Sequence, residues 1–85
     1  MEVSTPQAHP HVVHITVNNK RVVLPNPETT GLAIKEAAIT QGVTIQVSFK
    51  LFLIKGHEQV PVPDDEHLKV HEHQQFRAVA PDDNS

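Results

Sequence analysis

The chain has no cysteine. That one absence excludes disulfides, thiolate nucleophiles and every metal site built on Cys sulfur. Trp and Tyr are also missing, and there are only three Phe and three Gly, so any core has to be assembled from aliphatic side chains. At 38% hydrophobic residues over 85 positions, such a core can hold one small domain of modest stability and not two. Lys and Arg form no cluster and the formal charge is −3, which argues against a nucleic-acid footprint. No apolar run approaches the roughly 18 residues that a membrane span needs. The first 20 residues lack the charged-then-apolar layout of a signal peptide, so the expected location is cytoplasmic. His, Asp, Glu, Ser, Thr and the chain termini are left to do any chemistry.

What is present is organised by periodicity. Met1 to His11 hold two Pro and no repeating apolar pattern, and read as a disordered arm. In Val12 to Asn18, Val13, Ile15 and Val17 alternate with His14 and Thr16, the period-2 signature of a half-buried strand. Asn18-Asn19-Lys20 supplies turn chemistry, because Asn tolerates positive φ, and Arg21 to Leu24 is a returning strand. Pro25 and Pro27 stop that strand, since neither has an amide hydrogen for a ladder. Thr29 or Thr30 can then cap a helix over Leu32 to Gln41. Its buried face is expected to be Ile34, Ala37, Ala38 and Gln41, and Gly42 suits the left-handed position that ends it.

From Val43 to Leu53 every odd position is hydrophobic, and the even positions begin polar and end with Phe52 and Ile54. The pattern predicts a long strand, with room for an extended loop before it. Lys55-Gly56-His57-Glu58 is a hairpin turn, and Gln59 to Val62 a short strand that Pro61 confines to a sheet edge. Leu68 and Val70 alternate over a polar stretch, and Gln75 to Ala80 is the last strand, ended by Pro81. A single helix after an N-terminal hairpin predicts an α+β fold. It would have a four- to five-stranded mixed sheet with the helix on one face, first and last strands side by side in the middle: a β-grasp. The domain is expected over residues 12–80, with the arm at 1–11 and a polar tail at 81–85.

None of the candidate chemical groups forms a catalytic arrangement. The histidines fall into two groups, His9, His11 and His14, then His67, His71 and His73. His67 and His71 stand four apart, as helical zinc ligands do, but no acid lies between them in the metalloprotease pattern and the segment alternates like a strand. Exposed surface histidines are the simpler reading, and no metal or cofactor is expected. Asp64-Asp65-Glu66 and Asp82-Asp83 sit in a turn and a tail, where carboxylates solvate; acid–base catalysis needs a site that shifts a pKa. Ser4, Ser48 and Ser85 lack any nucleophile-elbow context. The chain is expected not to be an enzyme.

The run Ile15-Thr16-Val17-Asn18-Asn19-Lys20, the helix segment Thr30-Gly31-Leu32-Ala33-Ile34-Lys35-Glu36-Ala37-Ala38-Ile39, the apolar Phe49-Lys50-Leu51-Phe52 and the ending Phe76-Arg77-Ala78-Val79-Ala80-Pro81-Asp82-Asp83-Asn84 together resemble a bacterial ubiquitin-like protein of the multiubiquitin-domain type. The resemblance covers roughly residues 12 to 85, in the family's element order; its Thr-Gly helix start and acidic-Asn ending are the more specific pieces. It implies a β-grasp fold and a protein modifier. The modifier would be served by an activating (E1-like) enzyme, a transferring (E2-like) enzyme and a processing or deconjugating protease.

A modifier has to present a carboxylate on a tail, and Asp82, Asp83, Asn84 and Ser85 fill that place here. They depart from the di-glycine ending of eukaryotic ubiquitin; the activated carboxylate is Ser85's own or, as favoured, that of Asn84 after Ser85 is trimmed. Ubiquitin-like domains bind enzymes through the open face of the sheet. If odd residues of the central strand face the helix, Phe52 and Ile54 point outward and Arg77 and Val79 join them. A register shifted by one would expose Leu51 and Leu53 instead. The same patch would equally serve a β-grasp module that binds partners noncovalently and is never conjugated.

Overall fold

The computed structural model describes residues 12–81; the N-terminal arm and the tail residues Asp82 to Ser85 lie outside them. The element order is β1 (Val13–Val17), β2 (Lys20–Leu24), β3 (Glu28–Thr30), α1 (Gly31–Thr40), β4 (Lys50–Lys55), β5 (Glu58–Val62), β6 (His67–Lys69) and β7 (Gln75–Val79). Five strands form one sheet in the order β2-β1-β7-β4-β5, and β3 and β6 pair as a separate ribbon. β1 and β7 run parallel at the centre and all other pairs are antiparallel. With one helix covering one face, this is the β-grasp arrangement.

The β1–β2 hairpin turns through Asn18 (φ 55°) and Asn19 (φ 68°). Two consecutive left-handed residues make the tight turn whose twist matches the flanking strands, and Asn adopts that region at low cost. The helix starts where Thr30 Oγ1 accepts a hydrogen bond from the Ala33 amide (3.1 Å). It ends at Gly42, whose φ of 100° suits glycine. Its inner face buries Ile34 and Ala38 against Val13, Ile15, Val17, Val22, Leu24, Leu51, Val62, Val70, Phe76 and Ala78. Ala37 is partly buried in the same cluster, and the small Ala side chains keep the helix axis close to the sheet. Gln41, expected on the buried face, is exposed. Its side-chain amide instead accepts from the Val23 amide (2.8 Å) and donates to the Val23 carbonyl (2.7 Å). The free edge of β2 is thereby bonded by a side chain at that point, which removes part of a template for another strand.

Two features of the sequence pattern resolve differently. The alternation through Val43 to Phe49 is not a strand; β4 begins only at Lys50. Val43 and Ile45 are buried in the core. The backbone there bonds locally, Ile45 N to Val43 O (2.9 Å) and Phe49 N to Gln46 O (2.9 Å), so the segment plugs the core without joining a ladder. Conversely, β3 has no periodic signal at all, and the alternation of Leu68 and Val70 marks β6 without showing what it pairs with. The three-residue strands of the β3–β6 ribbon are held by backbone bonds that continue past them: Val70 N donates to Pro27 O (2.8 Å) and Gly31 N to Glu66 O (3.3 Å).

Lys35 explains how the loop is held. It is 3% exposed, and its Nζ donates to the carbonyls of Val47 (2.6 Å) and Phe49 (2.7 Å) while pairing with Asp64 Oδ1 (2.6 Å). One ammonium thus ties the segment before β4 and the turn after β5 to the helix. Asp64, expected only to solvate its turn, is half of that pair. The same turn meets the helix start through its backbone, Leu32 N donating to Asp64 O (3.0 Å).

Candidate partner-binding face

Strand parity decides which side chains are presented. Leu51, Phe76 and Ala78 are buried under the helix, so on β4 and β7 the alternate residues face outward. Phe52 lies directly across from Arg77, Lys50 from Val79 and Ile54 from Gln75. The four residues expected to share a patch, Phe52, Ile54, Arg77 and Val79, therefore do share one face of two adjacent strands, in the register where odd residues of β4 face the helix. Phe52 and Ile54 are half-buried, while Arg77 and Val79 are exposed.

The neighbouring strands extend that face. Pro61 stands across from Phe52 and Gln59 across from Ile54 on β5; Thr16 stands beside Gln75 on β1, with Arg21 across from it on β2. The hairpin turn at Gly56 and His57 makes Lys55 and Glu58 a bonded pair, so the ring nitrogen of Pro61 falls where no ladder amide is needed. Beside Phe52 a hollow of about 350 Å³ opens between Phe49, Lys50, Phe52, Pro61 and Pro63, with Lys35 and Asp64 also lining it. Lys50, Arg21 and Pro61 were not among the residues singled out from the sequence. Lys50 was legible as an even position of the same strand, but Arg21 and Pro61 join only through pairing across the sheet.

The charge of this face is one-sided. Its outward strand positions carry Arg21, Lys50 and Arg77 and no carboxylate, in a chain whose formal charge is −3. At its rim Glu72 accepts from the His14 amide (3.1 Å) and lies 2.6 Å from His14 Nδ1. These two bonds, the backbone one foremost, hold the Glu72 carboxyl below its usual 4.5. His73 N donates to His14 O (2.6 Å), so the loop before β7 is tied to β1 at two points. Among the described residues no group of three or more His, Asp or Glu side chains is placed to hold a metal ion. His67 lies on β6, and His71 and His73 lie in the loop before β7; His9 and His11 are outside the described residues.

The face also sits where the chain leaves the sheet. β7 is a central strand ending at Val79, and Ala80 and Pro81 are exposed. Asn18 fixes that end: its Nδ2 donates to Ala78 O (3.1 Å) and its Oδ1 accepts from Ala78 N (2.9 Å). A side-chain amide thus continues the parallel β1–β7 pairing past the end of β1. The proposed tail residues Asp82, Asp83, Asn84 and Ser85 lie outside the described residues.

Parallel central strands, a single covering helix and the elements between them all fall within one stretch that the profile of the Multiubiquitin family matches, residues 13–82. The chain belongs to the Multiubiquitin family. No curated protein and no solved structure gives a significant match. The Multiubiquitin match spans both hairpins, the helix and β7, and so covers the whole apolar and cationic face together with the first residue of the tail.

Proposed function

We propose that this Multiubiquitin chain is a protein modifier of a bacterial ubiquitination-like system, activated at its C-terminal tail and conjugated to other proteins. An E1-like enzyme would react the tail carboxylate with ATP to give the acyl-adenylate and pyrophosphate, a thiol of the partner enzymes would take the acyl group with release of AMP, an E2-like enzyme would pass it on, and a protease would trim or remove the modifier. The observation that carries this reading is the exit of the chain: a central strand, clamped by Asn18 up to Ala78, releases the C-terminus beside an apolar, cationic face. An enzyme gripping that face has a fixed origin from which to take the tail. Fully extended, four residues reach about 13–14 Å, enough to enter an active site while the folded domain stays outside it. The chemistry is assigned to the partner enzymes, and the part of this chain is to present the face and the tail.

Truncation after Pro81 tests the reading. The truncated chain should melt at the same temperature as the full chain and still bind the activating enzyme through its face, while acyl-adenylate formation is lost. Normal activation and conjugation of the truncated chain would contradict the role given to the tail. A noncovalent binding module predicts unchanged partner affinity and no acyl transfer by either chain.

A further inference from the structure

On the side of the domain opposite the cationic sheet face, a groove of about 780 Å³ runs between α1 and the β3–β6 ribbon. Leu24, Ala33, Ala37 and Leu68 line it together with Glu28 and Glu36. Both glutamates are exposed. Lys69 stands across from Glu28 in the ribbon and offsets that charge, but Glu36, on the helix, has no cation paired with it among the described residues. Asp65 and Glu66, both exposed, follow in the turn that docks on the helix start. The groove side is therefore apolar, with Glu28, Glu36 and the nearby Asp65 and Glu66 outnumbering its one lining lysine, Lys69.

Charge is segregated across the domain. The sheet face carries Arg21, Lys50 and Arg77 around Phe52, Ile54 and Val79; the groove side carries Glu28, Glu36, Asp65 and Glu66 around small aliphatic side chains. Apart from Lys69 at the groove and Glu72 at the rim of the sheet face, cations lie on one side and carboxylates on the other, and the covering helix keeps the two sides apart within one molecule. We propose that the groove between α1 and the β3–β6 ribbon receives the cationic sheet face of a second copy of this chain. The contact is heterologous: different surfaces meet, so each added copy leaves one free groove and one free face, and the assembly grows head to tail. Opposite charges bordering two apolar patches set orientation and hasten encounter more than they tighten binding, so the association is weak and salt-sensitive. It also buries the sheet face, so a stacked copy is withheld from any enzyme that uses that face.

The test uses the full chain and two charge reversals. Arg77→Glu removes the face and leaves the groove; Glu36→Lys removes the groove and leaves the face. Both side chains are exposed, and the pair Lys50→Glu with Glu28→Lys repeats the experiment if either variant loses its fold by circular dichroism. Sedimentation is measured at about 10 mM salt, where charges act over about 30 Å, and at about 0.15 M, where they act over about 8 Å. The wild-type chain should show a mass that rises with concentration above the monomer's 9.4 kDa, less so at the higher salt. Each variant alone should stay monomeric. An equimolar mixture should form a dimer and stop there, because only one intact groove and one intact face remain per pair. A wild-type chain that stays monomeric at low salt, a single variant that associates as wild type does, or a mixture that stays monomeric would each overturn the proposal.

Discussion

Replacing Lys35 with Met keeps the length and the apolar stem of the side chain and deletes the ammonium. Three interactions go with it: hydrogen bonds to the Val47 and Phe49 carbonyls at 2.6 and 2.7 Å, and the pair with Asp64 at 2.6 Å. Hydrogen bonds from a charged donor contribute roughly 1.5–3 kcal/mol each, so the two carbonyl bonds alone are worth about 3–6 kcal/mol. Against this, Met no longer has to be stripped of a charged group's water, and replacing buried ions by apolar side chains recovers several kcal/mol in some proteins. The Asp64 partner weighs little here, because its side chain is 53% exposed and turns to water once the ammonium is gone. The balance is a loss of about 2–3 kcal/mol, which in a domain of this size lowers Tm by roughly 10–20 °C. Urea unfolding followed by circular dichroism measures it. Hydrogen exchange at Phe49 should accelerate in the variant, while exchange in the β1–β2 hairpin slows or quickens only with global stability. Asp64→Asn, which leaves both carbonyl bonds in place, should cost less than Lys35→Met. A Lys35→Met domain as stable as wild type would refute the idea that this ammonium holds the loop before β4.

Gly31→Ala should destabilise by at least about 1–3 kcal/mol, because a Cβ there would overlap the Pro63 carbonyl and push the 63–66 turn off the helix start; thermal melting at or above the wild-type temperature would contradict that close approach. Phe52→Lys should leave a folded monomer, with a stability loss of roughly 1 kcal/mol, and weaken binding to an activating or transferring enzyme; unfolding would place Phe52 in the core instead of on the face. Glu72 has its folded-state pKa lowered from 4.5, so its contribution is present above that value and is lost as pH falls through the depressed one. Wild type should therefore lose its stability advantage over Glu72→Gln as pH falls below 4.5, and a difference that does not change on acidification would remove the His14–Glu72 contact from the account.

The parts of this fold legible in the sequence are those in which local order and tertiary order agree. Val13, Ile15 and Val17 alternate because one face of β1 is buried, and Asn18-Asn19 takes the left-handed turn that joins it to β2. Phe52 and Ile54 are recognisable as outward residues because Leu51 is fixed inward by its own strand. Val43 to Phe49 misleads because alternation reports burial and not pairing: Val43 and Ile45 are buried, yet the backbone turns on itself and the Val47 and Phe49 carbonyls go to Lys35. The β3–β6 ribbon is half-visible: Leu68 and Val70 alternate around β6, but Glu28-Thr29-Thr30 is too short and polar to show a period, so the pairing is not legible. Side-chain amides that stand in for strand residues are the least legible of all. Asn18 meets Ala78 60 positions away and Gln41 meets Val23 18 positions back, and nothing local marks either residue for that role. The outward face was therefore half-legible: Phe52, Ile54, Arg77 and Val79 from strand parity, Arg21 and Pro61 only from strand order.

The reading of this chain as a modifier stands or falls on whether its C-terminal carboxylate is activated. Intact-mass analysis after incubation with ATP and an adenylating (E1-like) enzyme measures that directly. The account predicts a covalent adduct through the chain's last residues, Asn84 if Ser85 is trimmed and Ser85 if it is not, that is absent without ATP and absent from a chain ending at Pro81. Recovery of the chain at its unmodified mass, bound to the enzyme through Phe52 and Arg77 but never joined to AMP or a thiol, would contradict it and leave a noncovalent binding module.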